Sequence, residues 1–534
     1  MNHQSRIQKL LIANRGEIAR RIIRACRAMG IETVLVVSDA DRGSLASTES
    51  SDVVEIGGTT AAESYLNKQK IIQAALGSGC HAVHPGYGFL SEDAEFAQQV
   101  KDAGLIFVGP SPESIRALGV KTNARKTVSA AGVPITPGSD GARSDDELGL
   151  AAERIGFPVI IKAAAGGGGR GMRIVRASHE MKDALERARA EALKNFGSPE
   201  VYCEKFIEGP RHVEVQLFGD EHGNVVHFGT RDCSAQRRHQ KLLEEGPAPF
   251  LEPDIREMIH EAAVRAAKSV GYSNAGTAEF LVSGRDFYFL EINTRIQVEH
   301  PVTEMITGVD LVQLQIRVAM GERLPVTQSD ISFSGHAIEL RINAEDVREN
   351  FRPALGSIEA WRRDSPIEVR EECGYREGDI IPPFYDSLLS KVIVHGSDRR
   401  EALYKTHQFL KGYSITGVPT TIPFHAWLLA HEQFQTDGID IGFVERTFTT
   451  ESLDTALILL ESDTDYRLPE GGGAVVEKVV EKGATVEVTH EPGGTFLAVP
   501  LKGDGSRGES KEWCRSNRKR SAIEGALSHA RRGT

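Results

Sequence analysis

In the stretch EINTRIQVEH, residues 291–300, every second position from Glu291 is polar: Glu291, Asn293, Arg295, Gln297 and Glu299, with Ile292, Ile296 and Val298 among the residues between. An extended backbone would project all five onto one side at intervals of roughly 7 Å. An exposed strand face with mixed charges produces the same alternation as a row of functional groups, so the rest of the chain has to decide. Upstream, Glu279 stands in the strand-like apolar run GTAEFL (276–281). On neighbouring antiparallel strands, Glu279 and Glu291 with Asn293 close by would form an all-oxygen site. Hard Mg2+ or Mn2+ bridging to phosphates prefers such ligands. A purely structural cross-strand pair is the other reading.

Two further segments carry chemistry. In KAAAGGGGRGMR (162–173), four consecutive glycines remove the side chains that keep a backbone away from a ligand, and Lys162 and Arg170 add positive charge around them. Backbone N–H groups freed in this way can approach phosphate oxygens. The spacing is not that of a P-loop. A flexible linker would not usually be bounded by the strand-like PVIIK and MRIV, so a mobile lid over a triphosphate is the sharper expectation. RDCSAQRRHQKLLEE (231–245) packs Arg237, Arg238, His239 and Lys241 into five positions, interleaved with Cys233 and Gln236 and followed by Glu244 and Glu245. Such clusters are often solvated or nucleic-acid-facing. The adjacent acidic pair suits a polyphosphate or small anion better.

The elements that must position these groups follow from hydrophobic period. Residues 8–40 read as strand, turn at Gly16, an amphipathic helix with Ile18, Ile22, Ile23 and Cys26 on one side, and a second strand. This is a βαβ unit without the GxGxxG fingerprint. HAVHPGYGFLSE (81–92) and LIFVGPSPES (105–114) repeat strand then loop, so residues 1–120 are expected to form a doubly wound α/β domain. Residues 121–330 mix helices with strand-like runs and predict α+β structure with antiparallel hairpins. A third region, 331–447, contains HAIELRINAED, SLLSKVIVHG and the helical ALYKTHQFLKGY. From 448 to 534 the composition changes. PEGGGAVVEKVVEKGATVEVTHEPGG alternates like strands between glycine turns, and residues 502–534 carry nine Lys/Arg against four Asp/Glu, predicting a partly disordered, mobile end.

Composition bounds the function. With 534 residues, 40% hydrophobic and 26% charged, the chain is long enough for several buried cores. A formal net charge of −12 argues against general nucleic-acid binding. No apolar run approaches the roughly 18–20 residues that span a bilayer. Six scattered cysteines without CxxC spacing fit a reduced compartment, and Asn14, Arg15 and Glu17 interrupt any signal-like segment, so a cytoplasmic protein is expected.

Taken in order, ANRGEIARRI, HPGYGFLSE, GGGGRGM, EGPRHVEVQ, RDCSAQRRHQK, EINTRIQVEHPVTEMITGVDL, RINAED and YDSLLSK resemble the biotin carboxylase family of ATP-grasp enzymes, from residue 5 to about 447. The resemblance implies a Rossmann-like N-terminal domain (1–120), an ATP-grasp domain with a glycine-rich lid (121–330), a biotin carboxylase C-terminal domain (331–447) and an atypical tail. It also implies a reaction in which ATP phosphorylates bicarbonate to carboxyphosphate, whose CO2 is captured by biotin on a carrier. Two Mg2+ or Mn2+ ions would be held by Glu279, Glu291 and Asn293. Bicarbonate would be oriented by Lys241, Arg295, Gln297 and the backbone of Val298, Glu299 would be the general base, and Arg341 would stabilise the biotin enolate. ATP would lie against Lys121, Lys162, Gly168, Gly169, Glu204, Lys205, Ile207, His212, Gln236 and His239. The implied partners are a second copy in a homodimer, a biotin carboxyl carrier protein and a carboxyltransferase subunit, with no nucleic acid or membrane. Thr294 and Pro301 resemble the acetyl- or acyl-CoA carboxylase type rather than pyruvate carboxylases.

Three positions depart from the family pattern: Val120, Thr230 and Gly246 stand where an acid, Glu and Ala are common. The tail faintly resembles the first half of a biotinyl domain, yet the Met-Lys-Met context is missing and Met320 is the last methionine, so biotin is expected on a separate carrier. Two rival readings are an ATP-grasp ligase joining another carboxylate to an amine, which has no need of Arg295, Glu299 and Arg341 together, and an inactive nucleotide-sensing homologue, which would be expected to lack Glu291, Lys241 or Arg295.

Overall fold

The structure, a computed structural model, describes residues 7–119, 121–139, 144–164, 172–454, 476–481, 484–491, 495–501 and 514–516. The N-terminal region is a five-stranded parallel sheet of β1 (Lys9–Ile12), β2 (Glu32–Val37), β3 (Asp52–Glu55), β4 (Ala82–His84) and β5 (Ile106–Phe107), in the order β3-β2-β1-β4-β5. The helix Gly16–Ala28 buries Ile18, Ile22, Ile23 and Cys26, as its period predicts. Strand order reverses between β1 and β4, the place where open α/β sheets bind ligands. There the Asn14 amide donates to the carbonyls of Pro85 and Tyr87, each at 2.7 Å, and ties the two loops together.

The central region holds two antiparallel sheets. The smaller contains β6 (Val159–Ala163), β7 (Arg173–Val175) and β8 (Val201–Lys205) in the order β7-β6-β8. The larger has eight strands and begins with β9 (Arg211–Gly219), β10 (Val225–Arg237), β11 (Gln240–Gly246), β12 (Asn274–Ser283), β13 (Asp286–Asn293) and β14 (His336–Asn343). Its order is β13-β12-β9-β10-β11-β14, continuing through Leu388–Gly396 to Arg370–Cys373. This one sheet therefore joins strands from both sides of residue 330.

Alternation along β9 explains why the larger sheet has an apolar and a polar face. Val213, Val215 and Leu217 pack in one core with Ile255, Ile259, Ala262 and Ala266 of the helix Pro253–Lys268. The intervening His212, Glu214 and Gln216 are buried on the other face. A second core gathers Leu340, Ile342, Val392, Phe409, Trp427 and Phe443 beneath the C-terminal strands and the helix Arg399–Lys411.

Two sequence expectations need amendment. The strand expected over residues 291–300 ends at Asn293; residues 294–299 turn, and the helix His300–Thr307 follows with Glu299 at its N-cap and Pro301 in its first turn. The period of two past Asn293 is thus not strand pleating, since a proline in the first helical turn favours a helix start there. The basic cluster at 237–241 is split by a tight hairpin: Arg238 and His239 both have positive φ, +48° and +63°, the geometry that a two-residue connection demands. Lys241 is thereby turned into the cleft, while Arg237 lies over Phe351 and the Arg238 N–H bonds Glu445. Within the tail, Val476–Glu481 and Ala484–Glu491 pair as the alternation predicts, followed by Thr495–Leu501. Cys514–Ser516 pairs with it as a fourth strand, and the rest of the stretch 502–534, expected to be mobile, lies outside the described residues. Among the described residues no helix is long and apolar enough to cross a membrane.

Of the departures, Thr230 is buried and accepts the Ala248 N–H at 3.1 Å. At Gly246 an added Cβ would lie 2.5 Å from Val302 Cγ1, so glycine and the neighbouring valine are complementary here. Val120 lies outside the described residues.

Candidate active site

The two sheets and the N-terminal loops enclose a cleft of about 930 Å³, lined by Lys162, Glu204, Ile207, His212, Gln236, His239, Lys241, Glu279, Glu291, Asn293, Arg295, Gln297, Val298, Glu299 and Arg341 among others. Strand register sets the acidic face. Glu279 on β12 stands opposite Glu291 on β13 and, on its other side, opposite Glu214 on β9, so three carboxylates lie abreast. A bulge follows Glu279, where the next pair shifts to Phe280 and Phe289. Asn293 Nδ2 and Gln297 Nε2 both donate to Glu279 Oε1 at 2.8 Å. His212 Nε2 is 3.1 Å from Glu279 Oε2, and its Nδ1 is 3.1 Å from the Gln236 amide. Burial alone would raise the Glu279 carboxyl, but Lys241 and His212 hold it well below the usual range. The ligating atoms of His212, Glu214 and Glu279 lie within 4.8 Å of one another. With Glu291 alongside, these predominantly oxygen donors fit a hard divalent cation.

Lys241, next on β11, donates to Glu214 Oε2 at 2.6 Å, Glu279 Oε1 at 3.0 Å and Glu299 Oε1 at 2.6 Å. Burial opposes its charge, yet Cys233, Glu214, Glu279 and Glu299 keep the ammonium well above its ordinary value. Arg341 on β14 reaches Glu244 Oε1 through Nε at 2.6 Å and Glu299 Oε2 through Nη2 at 2.8 Å. Burial raises Glu299, but Lys241, Arg341 and Arg231 more than reverse this and hold it ionised. Glu244 behaves oppositely: burial carries it to about 7 against the pull of Arg341.

Three side chains without a sequence assignment hold the 294–299 turn in place. Fully buried Arg231 donates to Glu214, to Gln216 and Thr303 at 2.8 Å, and to Gln297 Oε1 at 2.8 Å. Glu92, from the N-terminal region, accepts the Thr294 N–H at 2.9 Å and Arg295 Nε at 3.0 Å. Buried Lys391 donates to the Val298 carbonyl at 2.7 Å and pairs with Glu17 at 3.1 Å. Glu214 leaves a sequence trace, a charge between two valines in the alternating run HVEVQLF, whereas Arg231 stands in a polar run and leaves none. Glu92 lies in the quoted HPGYGFLSE, yet nothing local connects it to Arg295.

At the other end, Lys162 on β6 donates to Glu204 Oε2 on β8 at 2.7 Å, and Arg125 reaches Glu204 Oε1 at 2.8 Å. Lys205 also borders the cleft, but its ammonium is taken by the carbonyls of Gly156 and Phe157 at 3.0 and 3.1 Å. His239 sits at the hairpin turn, and Lys121 opens the helix Lys121–Ala130. Gly168 and Gly169 lie outside the described residues.

Comparison with known proteins agrees with this architecture. Three family models match in order: biotin carboxylase, N-terminal domain, over residues 6–115; carbamoyl-phosphate synthase L chain, ATP binding domain, over 121–327; and biotin carboxylase C-terminal domain, over 339–446. The chain is 51% identical over 443 residues to a biotin carboxylase of Nostoc sp., covering 82% of this chain and 99% of that protein. It is 50% identical over 438 residues to a pyruvate carboxylase subunit of Methanothermobacter thermautotrophicus, covering 82% and 89%. The alpha subunit of a methylcrotonoyl-CoA carboxylase of Oryza sativa is also 50% identical over 444 residues, of which the match spans 60% of the relative's length. Among solved structures, Campylobacter jejuni biotin carboxylase in a β,γ-ATP complex superposes with a TM-score of 0.81 at 43% identity, over 83% of this chain and 100% of that one. The biotin carboxylase domain dimer of Hydrogenobacter thermophilus 2-oxoglutarate carboxylase, with MgADP, ADP and bicarbonate, gives 0.79 at 44% identity, over 82% and 97%. With all three family regions in order, half of its aligned residues shared with such relatives and the charged cleft at their junction, the chain belongs to the biotin carboxylase family of ATP-grasp enzymes.

Proposed function

We propose that this chain uses ATP and bicarbonate to carboxylate biotin presented by a carrier module outside these 534 residues, the first half-reaction of an acyl-CoA carboxylase. The observation that carries this reading is the convergence, in one cleft, of the acidic face at Glu279 and Glu291 with Lys241, Arg295, Glu299 and Arg341. A ligase joining a carboxylate to an amine has no use for the last three together. Glu279, Glu291 and Asn293 would hold Mg2+, with Mn2+ as substitute, and the bound cation would neutralise phosphate charge. Lys162, Glu204, Lys205, Ile207, His212, Gln236 and His239 would bind the nucleotide, and Lys121, Gly168 and Gly169 complete that set by position in the family motifs.

Bicarbonate would be oriented by Arg295, Gln297, Lys241 and the backbone at Val298. Glu299 is ionised in the cleft, as a base must be, but Lys241 and Arg341 make it a weak proton acceptor. An arriving anion that draws those two cations onto itself raises the basicity of Glu299 when the proton has to move. Arg341, released from Glu299, is then placed to stabilise the oxyanion that forms when the biotin ureido nitrogen loses its proton. Exclusion of water from the cleft would keep carboxyphosphate from hydrolysis.

The dimeric Hydrogenobacter relative supports a homodimer. The family reading supports a biotin carboxyl carrier protein and a carboxyltransferase as partners, in the cytoplasm. Thr294 and Pro301 support an acyl-CoA as final acceptor, as in fatty acid biosynthesis. The test is ADP release with Mg-ATP and bicarbonate alone, free biotin alone, or both. Release should require bicarbonate and rise strongly with biotin. Stimulation by a different amine or carboxylate, with biotin inert, would assign the chain to another ATP-grasp ligase.

A further inference from the structure

Glu204 is the buried carboxylate of the nucleotide end, with 3% of its side chain exposed, and it has two cationic partners rather than one. Lys162 takes Oε2 at 2.7 Å and Arg125 takes Oε1 at 2.8 Å. Arg125 uses its other terminal nitrogen to donate to the Thr136 carbonyl at 2.5 Å. The planar guanidinium can satisfy both partners at once, which a lysine cannot. Segment 134–139 closes over this pair. Gly138 bridges to Glu204, and a Cβ at Gly138 would come within 2.9 Å of the Cys203 carbonyl, 3.2 Å of Glu204 Cγ and 3.3 Å of Arg125 Nη2. Arg125 is therefore fixed against Glu204 by its surroundings, whereas Lys162 reaches Glu204 from the cleft wall.

One carboxylate between two cations leaves a surplus positive charge where a polyanion is to bind. A buried carboxylate that loses its only partner is left uncompensated, and that penalty would be charged against nucleotide binding. We propose that Arg125 is a positioning residue for the nucleotide, keeping Glu204 paired while Lys162 leaves Glu204 for the phosphates. This rests on the reading of Lys162 as a phosphate ligand.

The test is calorimetric binding of Mg-ADP and Mg-ATP to the full chain, together with steady-state ADP release. Arg125→Met should raise Kd and the KM for ATP about 10- to 100-fold while kcat stays within about threefold, because Lys162 is then the sole cationic partner of Glu204. Arg125→Lys, which keeps the charge but not the fork, should fall between. The decisive variant is Arg125→Met with Glu204→Gln. With no buried charge to satisfy, Lys162 is free again, and the double variant should bind nucleotide more tightly than Arg125→Met alone. An affinity of Arg125→Met within about twofold of wild type, or a double variant no tighter than the single, would overturn the proposal. If Arg125→Met does not fold, Arg125→Lys with and without Glu204→Gln gives the same comparison: restoration supports the proposal and its absence rejects it. Wild-type protein that binds neither nucleotide would instead overturn the functional reading beneath it.

Discussion

The two ends of the cleft pair their buried charges in different ways. At one end a single ammonium, Lys241, lies among Glu214, Glu279 and Glu299; at the other a single carboxylate, Glu204, lies between Lys162 and Arg125. The first arrangement is a closed network, since Arg231 also holds Glu214 and Arg341 also holds Glu299, and it is fitted to exchange partners and pass protons. The second has positive charge to spare and is fitted to gain an anion. A polyanion such as a nucleotide is therefore drawn toward the second end.

Breaking the acidic end at its centre should have the largest effect. Lys241→Met takes from three buried carboxylates the ammonium they share, leaving Glu214 to Arg231, Glu299 to Arg341 and Glu279 to His212, and urea unfolding should show a loss of about 3–5 kcal/mol, alongside loss of bicarbonate-dependent ADP release. Next in size is a pair of variants that separates the ends. Glu299→Gln should lower bicarbonate-dependent ADP release by about 10²–10⁴-fold while nucleotide affinity stays near wild type. Lys162→Met should do the reverse, weakening ATP affinity more than the maximal rate, as titration of ADP release with ATP will reveal. Similar effects of both on affinity would mean that the two ends do not have separate roles.

The smallest effect is a pH slope within the acidic end. Glu244 is raised to about 7 in the folded protein, so between its unfolded value near 4.5 and about 7 the folded state binds more protons. Stability contributed by this group is therefore full below about 4.5 and is lost as pH rises through about 7. Glu279 and Glu299 are depressed and act oppositely: their contribution is present above the unfolded value and is lost as pH falls. Glu244→Gln should flatten the decline of Tm between pH 5 and 8 and leave the acid limb unchanged, as thermal scans across that range will show.

Much of this is legible from local pattern. The helix beginning at Gly16 follows from its apolar period, and the pairing of Glu279 with Glu291 follows from two strand-like runs on either side of a glycine-containing turn. Motif order supplies the residues proposed for the site, most of which line one cleft. The turn at 294–299 is not legible in this way, because a period of two arises in an irregular segment as readily as in a strand, and only the neighbours of Arg295 and Val298 distinguish the two. Those neighbours are Glu92 and Lys391, each about 90 to 200 residues away in the chain.

Sequence alone determined the chemical inventory, the strand and helix periods and the family, because these depend on residue type and short-range spacing. Tertiary structure alone decided which charges face each other. The buried partners of Glu299 come from β11 and β14, and those of Glu204 from β6 and the helix Lys121–Ala130. Each of these groups is compensated only by charges that folding brings within about 3 Å. Ion pairing in a buried site depends on distance and desolvation, neither of which is a property of the sequence interval between two residues.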